Sequence, residues 1–184
     1  MRNVKPKTHT AASDASGTDF SPADIARLDA LRYLLLAAER EGARMMSAAL
    51  RQVGVNSAQR EVLEVVRQRG PLTLAELGRL LVCEAASPSR LVDGLVRRGL
   101  IDRRRDSGDK RVVMLSITPA GQQALDVAFP ISGLRARIAA RLSTEQIDQL
   151  TGLLARLVAD TPSGNAVAAR FPAIWSTHTG SAPG

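Results

Sequence analysis

The side chains placed to do chemistry in this 184-residue chain are cationic rather than catalytic. Its two histidines, His9 and His178, sit near the two ends, and Cys83 is its single cysteine. A lone thiol permits no intrachain disulfide and no cysteine-rich metal site, and without a central histidine or carboxylate constellation an enzyme, a metal and a cofactor are not expected. Between residues 85 and 111, by contrast, eight basic residues (Arg90, Arg97, Arg98, Arg103, Arg104, Arg105, Lys110 and Arg111) stand against four acidic ones (Asp93, Asp102, Asp106 and Asp109). More than half of the net charge of +7 is thus concentrated in one short stretch. Such a cluster suits a polyanion, because each phosphate neutralised releases condensed counterions.

The elements around those cations decide what they can reach. Thr73 and Glu76 have the spacing of a capping box, in which hydroxyl and carboxylate each satisfy a free N–H, so a helix is predicted from about Leu74 with Leu77 and Leu81 on its apolar side. After a short turn, Ser87-Pro88 repeats a start signal: a hydroxyl N-cap, then a proline where its missing N–H costs nothing. Leu91, Val92, Leu95 and Val96 form the apolar face of this second helix, Ser87, Ser89, Arg90, Asp93 and Arg97 project elsewhere, and Gly99 ends it. Two short helices across a tight turn are the arrangement that puts the second into a DNA major groove, N-terminal end first. Residues 100–105 and 111–117 then read as strands flanking a polar hairpin tip.

These residue types point to particular contacts. Arg90, early in the second helix, can fork onto guanine O6 and N7, or hold a phosphate or carboxylate instead. Ser87 and Ser89 suit phosphate or base contacts, and Ser87 equally suits a cap. Arg111, near the hairpin tip, suits the negative potential of a narrow minor groove, against the alternative of an ordinary surface ion pair. Thr73, Arg97, Arg104 and Lys110 complete the expected contact set.

The segments LAELGRLL, SPSRLVDGLVRRGLIDR and DSGDKRVVMLSITPAG resemble the DNA-binding lobe of the MarR family of bacterial transcriptional regulators. The wing is the most specific part: Asp109-Lys110-Arg111, a strand, then Thr118-Pro119-Ala120-Gly121. Gly94, where the family often carries a basic residue, and Pro88, where it favours an aliphatic or β-branched one, depart from the pattern. The resemblance implies a mainly α-helical winged helix-turn-helix with a small β-hairpin, a homodimer held by intertwined terminal helices, and a cytoplasmic regulator of double-stranded DNA, most often a repressor released by a small molecule. It implies that the Asp109 side chain steadies Arg111, and that an effector binds between the dimer helices and the lobe, where Arg44 and Met45 lie on the first helix. Arg32 is a second cation on that helix. Some family members sense oxidants through a thiol near the start of the chain, whereas Cys83 lies in the turn, where a small buried apolar residue is the default.

Along the chain, residues 1–20 are polar without periodicity or a hydrophobic signal core, and are expected to be a disordered arm. Ser21-Pro22 starts a long helix whose apolar stripe includes Ile25, Leu28, Leu31, Leu35, Met45, Met46 and Leu50. A helix from about Asn56 to Gly70 is expected to buttress the reading helices. Beyond the wing, a helix follows Thr118-Pro119 with a break at Pro130, and a last one follows the Ser143–Gln146 capping box. Residues 21–55 and 119–160 are assigned to dimerisation, through Ile25, Leu28, Leu150, Leu153 and Leu157, residues 56–118 to the winged lobe, and residues 161–184 to a tail. No apolar run approaches the length of a membrane span. The competing readings are a winged-helix module for an acidic protein partner and a non-specific DNA-coating protein.

Overall fold

A computed structural model describes residues 20–82, 87–106, 108–128 and 133–180. It divides into two units, Met1–Glu39 and Arg40–Gly184, with helix α1 (Pro22–Val53) beginning in the first and ending in the second. Within the first unit, the Ser21 hydroxyl accepts the Asp24 N–H at 3.2 Å and donates to its carboxylate at 2.6 Å, so the cap-plus-proline start is formed as the spacing predicts. Ile25, Leu28, Leu31 and Leu34 are all about half exposed or more. None of the helices among the described residues is long and apolar enough to cross a membrane.

The second unit is built on α2 (Ser57–Arg69), whose Val62, Leu63, Val65 and Val66 are fully buried or nearly so. Its start is the Asn56–Gln59 capping box. Around it lie β1 (Leu72–Thr73), α3 (Leu74–Leu80), α4 (Pro88–Arg97), β2 (Ile101–Arg105), β3 (Val113–Ile117) and α5 (Pro119–Ala128). Leu77 of α3, Val92 and Leu95 of α4, Ile101, Leu115 and Leu125 close this core. The sheet order is β1-β3-β2, antiparallel throughout, with Leu72 opposite Leu115, Ile101 opposite Ile117 and Arg105 opposite Val113. The hairpin is therefore the predicted wing, while β1 is a two-residue strand with too few residues to show a period-two pattern. Because Leu125 is buried in this core, α5, assigned with residues 119–160 to dimerisation, packs with the winged lobe.

Helices α6 (Leu134–Arg141), α7 (Thr144–Val158), α8 (Pro162–Arg170) and α9 (Pro172–Thr179) complete the chain. The Ser143–Gln146 capping box forms as predicted. Residues 161–184, expected to be a tail, instead supply two helices. The Thr161 hydroxyl accepts the Gly164 N–H at 3.0 Å and Pro162 occupies the first turn, the same signal as at Ser21-Pro22, and Ala155, Ala168 and Trp175 form a second small core. Gly164 is required at this corner: a Cβ there would lie 1.9 Å from the Val158 carbonyl oxygen. Residues 1–19, Cys83 and Pro130 lie outside the described residues.

Candidate nucleic-acid interface

Helix α4 presents two faces of opposite character. Leu91, Val92 and Leu95 are buried against α2 and α3, whereas the Arg90 and Arg97 side chains are exposed. Ser87 holds the N-cap position with Pro88 behind it, but its hydroxyl makes no capping bond; it lies 2.7 Å from the Ser89 hydroxyl instead. The expected cap is corrected accordingly: the proline sets the helix start, and the two hydroxyls engage each other at the helix end that would enter a groove. Gly94 faces α2, where a Cβ would come 3.0 Å from Gln59 Nε2, the end of a flexible side chain.

Val82, which follows α3, is held from α2. The Val82 N–H donates to Glu61 Oε1 at 2.8 Å. On α3, Thr73 and Glu76 form the reciprocal capping box, so the Thr73 hydroxyl is engaged: it accepts the Glu76 N–H at 3.2 Å and donates to the carboxylate at 2.8 Å. The Thr73 N–H, then its hydroxyl, hold the Glu76 carboxyl below the usual carboxylate range.

The wing is fixed to the reading helix by charge. Arg103 of β2 pairs with Asp93 of α4 at 2.7 Å, and Arg104 with Asp102 at 2.5 Å. At the tip, Asp106 accepts the N–H groups of Gly108 and Asp109, at 3.1 and 3.2 Å, and Asp109 accepts the Arg111 N–H at 2.9 Å. Asp109 thus steadies Arg111 through its main chain rather than through its guanidinium. Lys110 and Arg111 are exposed. Of the four local carboxylates, Asp106 and Asp109 thus hold N–H groups of the loop, while Asp93 and Asp102 pair with arginines of the wing. Arg98, counted with the cationic cluster, donates to the carbonyls of Val53 and Gly54, at 2.6 and 2.5 Å, and closes the end of α1.

The base of the wing explains the Thr-x-x-Gly signature. The Thr118 hydroxyl donates to the Gly99 carbonyl at 2.7 Å and accepts the Gly121 N–H at 3.0 Å, while the Thr118 N–H donates to the Leu100 carbonyl at 3.2 Å. A Cβ on Gly121 would lie 2.1 Å from that carbonyl oxygen, so only glycine lets α5 approach the wing this closely.

Residues 55–113 match the family model described as the MarR family. The chain belongs to the MarR family. It is 37% identical over 102 residues to an uncharacterized HTH-type transcriptional regulator, YkoM, of Bacillus subtilis, a match spanning 55% of this chain and 66% of that protein, just under two thirds of its length. A probable transcriptional regulator from Pseudomonas aeruginosa is 31% identical, with a TM-score of 0.56 over 69% of this chain and 96% of its own. A cysteine-to-serine mutant of Escherichia coli MarR, solved in complex with operator DNA, shares the fold at 23% identity and a TM-score of 0.58, over 72% of this chain and 96% of its own. These relatives are transcriptional regulators rather than enzymes, and this chain is a MarR-family transcriptional regulator.

The remaining predicted sites lie on α1 and α7. Arg44 is exposed and paired with Glu41 at 2.6 Å, Met45 is half-buried, and Met46 accepts a bond from Arg60 at 3.1 Å and packs on the lobe core. Arg32 pairs with Asp29 at 3.6 Å and lies over the Tyr33 ring. Leu150, Leu153 and Leu157 form one exposed stripe on α7. Sequence reasoning missed the Arg103–Asp93 pair, the role of Arg98, and the Glu61 bond to Val82. No local pattern announces any of them.

Proposed function

We propose that this MarR-family regulator binds double-stranded DNA as a homodimer, reads an inverted-repeat operator through α4 and the wing, and acts as a repressor that releases DNA when a small molecule binds. The observation that carries the reading is the division of the cations: Arg98 and Arg103, though exposed, are held by carbonyls or a carboxylate of the fold, whereas Arg90, Arg97, Lys110 and Arg111 are exposed and form no ion pair among the described residues. Arg90 and Arg97, with Ser87 and Ser89, are assigned to the major groove and to the phosphates beside it, and Lys110 and Arg111 to the minor groove. Arg104 and Thr73 are assigned to the backbone. Pairing is assigned to the exposed side chains of Ile25 and Leu28 on α1, and to Leu150, Leu153 and Leu157 on α7. Two identical reading helices require half-sites related by a dyad, about one helical turn apart.

The test is a binding titration against salt and sequence, with duplexes selected from a random pool. The expected result is a steep salt dependence together with a specificity ratio of at least about 10³ over random duplex. Salt-dependent binding that ignores sequence would show a DNA-coating protein. Absence of duplex binding would favour the protein-interaction module.

A further inference from the structure

Residues of α7, α8 and α9 line a half-open apolar cavity of about 440 Å³, outside the helix-turn-helix and the wing. Its walls are almost wholly apolar, made of aliphatic side chains of α7, α8 and α9 and the rings of Phe171 and Trp175, and Thr151 and His178 are the polar residues that line it. The volume falls in the range of small-ligand sites, roughly 300–1,000 Å³. A lining without arginine, lysine or carboxylate selects an uncharged ligand, since an ion would lose hydration there without a counter-charge. On α7 the cavity is lined by Thr151, Leu154, Ala155 and Val158, each one position beyond or between members of the exposed Leu150, Leu153 and Leu157 stripe. Successive residues turn about 100° around a helix, so the cavity and the stripe assigned to pairing occupy different faces.

The cavity wall is joined to the helix-turn-helix by a continuous set of contacts. Arg170, which precedes the wall residue Phe171, bonds Gln68 Oε1 at 3.2 Å, Glu64 Oε2 at 3.3 Å and Glu61 Oε1 at 3.4 Å. Its side chain is 9% exposed, so these charge-assisted bonds are shielded from solvent. The same Glu61 oxygen accepts the Val82 N–H between α3 and α4. Arg69 of α2 in turn donates to the carbonyls of Ala169 and Arg170, at 3.2 and 2.7 Å. A movement of Phe171 that draws Arg170 with it therefore changes the partner of the carboxylate that holds Val82.

We propose that this cavity binds a small uncharged aromatic molecule and that its occupancy alters DNA affinity through Arg170 and Glu61; the second half rests on the ligand-responsive reading above. Trp175, the single tryptophan of the chain, lies in the wall and reports occupancy directly. The probe is N-phenyl-1-naphthylamine, uncharged and able to accept energy from tryptophan, titrated into the full chain. Saturable energy transfer at one probe per chain is expected. Ile174→Gln, at a half-exposed wall position, and Thr151→Phe, which fills the space, should each weaken binding by about tenfold or more with unchanged helicity. With a selected duplex, saturating probe should change DNA affinity by at least about fivefold in the parent chain, and Arg170→Gln should bind probe yet lose most of that response.

Probe binding that leaves Trp175 emission untouched, or is indifferent to both cavity substitutions, overturns the site. So does binding that splits the dimer in light scattering, because the cavity would then be occupied by a second copy. Binding with no change in DNA affinity, or an identical response in Arg170→Gln, overturns the coupling. A DNA response abolished by Arg44→Ala or Met45→Ala and indifferent to Ile174→Gln would leave the regulator ligand-responsive and place the effector elsewhere. Failure to bind duplex would refute the regulatory reading alone, while the Trp175 titration would still decide the cavity.

Discussion

Replacing Gly121 by alanine tests whether the wing is held where the hydrogen bonds indicate. The new methyl would lie 2.1 Å from the Leu100 carbonyl oxygen and 2.9 Å from Ile117 Cγ1, and approaches under 3.0 Å are essentially never made by real Cβ atoms. The obstacle is backbone rather than the end of a flexible side chain, so α5 and the wing base must separate by roughly 1 Å, an overpacking strain of about 1–3 kcal/mol. That separation breaks or lengthens the Thr118 bonds to the Leu100 and Gly99 carbonyls, each worth about 0.5–1.5 kcal/mol. Alanine's helix propensity returns up to about 1 kcal/mol. The net expectation for Gly121→Ala is a loss of about 2–4 kcal/mol in urea unfolding followed by circular dichroism. Gly152→Ala serves as the control: its Cβ would meet only the His178 side chain, with Nδ1 nearest at 3.0 Å, and the imidazole can swing aside, so a change within about 1 kcal/mol is expected. Equal stability of Gly121→Ala and the parent chain would refute the close approach at the base of the wing.

Arg90→Ala should lose about 1–3 kcal/mol of DNA binding and relax preference at one position in each half-site, whereas Arg111→Ala should weaken all sites and lower the salt slope by about one; an unchanged slope in the second variant would remove Arg111 from the groove. Leu153→Glu places a charge in the exposed stripe of α7, and should convert a dimer to a monomer in light scattering without loss of helicity; a persistent dimer would move the interface elsewhere. The Glu76 carboxyl is held below its ordinary value of 4.5, so it favours the folded state above about pH 4.5 and that contribution fades as pH falls through the lowered value. Glu76→Gln should therefore show a shallower loss of stability on acidification, measured by urea unfolding between pH 3 and 6, than the parent; identical acid limbs would show that the capping carboxylate carries none of it.

The features read correctly from the sequence are those whose cause lies within about four residues. Capping boxes at Thr73–Glu76 and Ser143–Gln146 each join a side chain to an N–H three positions away, so spacing alone reveals them, and the helix start read at Asn56 proves to be a third such box. The same holds for the apolar face of α4 and for the hairpin, whose periodicities are set by the local backbone. Even Thr118–Gly121 is local in sequence, although its reason, the Leu100 carbonyl beside Gly121, is not. What the sequence could not decide is which cations are free. Arg98 and Arg90 look alike in the chain and both are exposed, yet only Arg98 bonds the carbonyls at the end of α1, because an arginine's role depends on which carbonyls and carboxylates reach its guanidinium. Ser87 matched a cap by type and position, and its hydroxyl turned to Ser89 instead. Residues 162–179 gave the same proline-led signal as α1, but their value as helices depended on burying Trp175 and on a bond from Arg170 to Glu61, 109 residues earlier. Such long-range partners are set by how the helices pack in three dimensions, and hydrophobic periodicity carries no information about which face meets which.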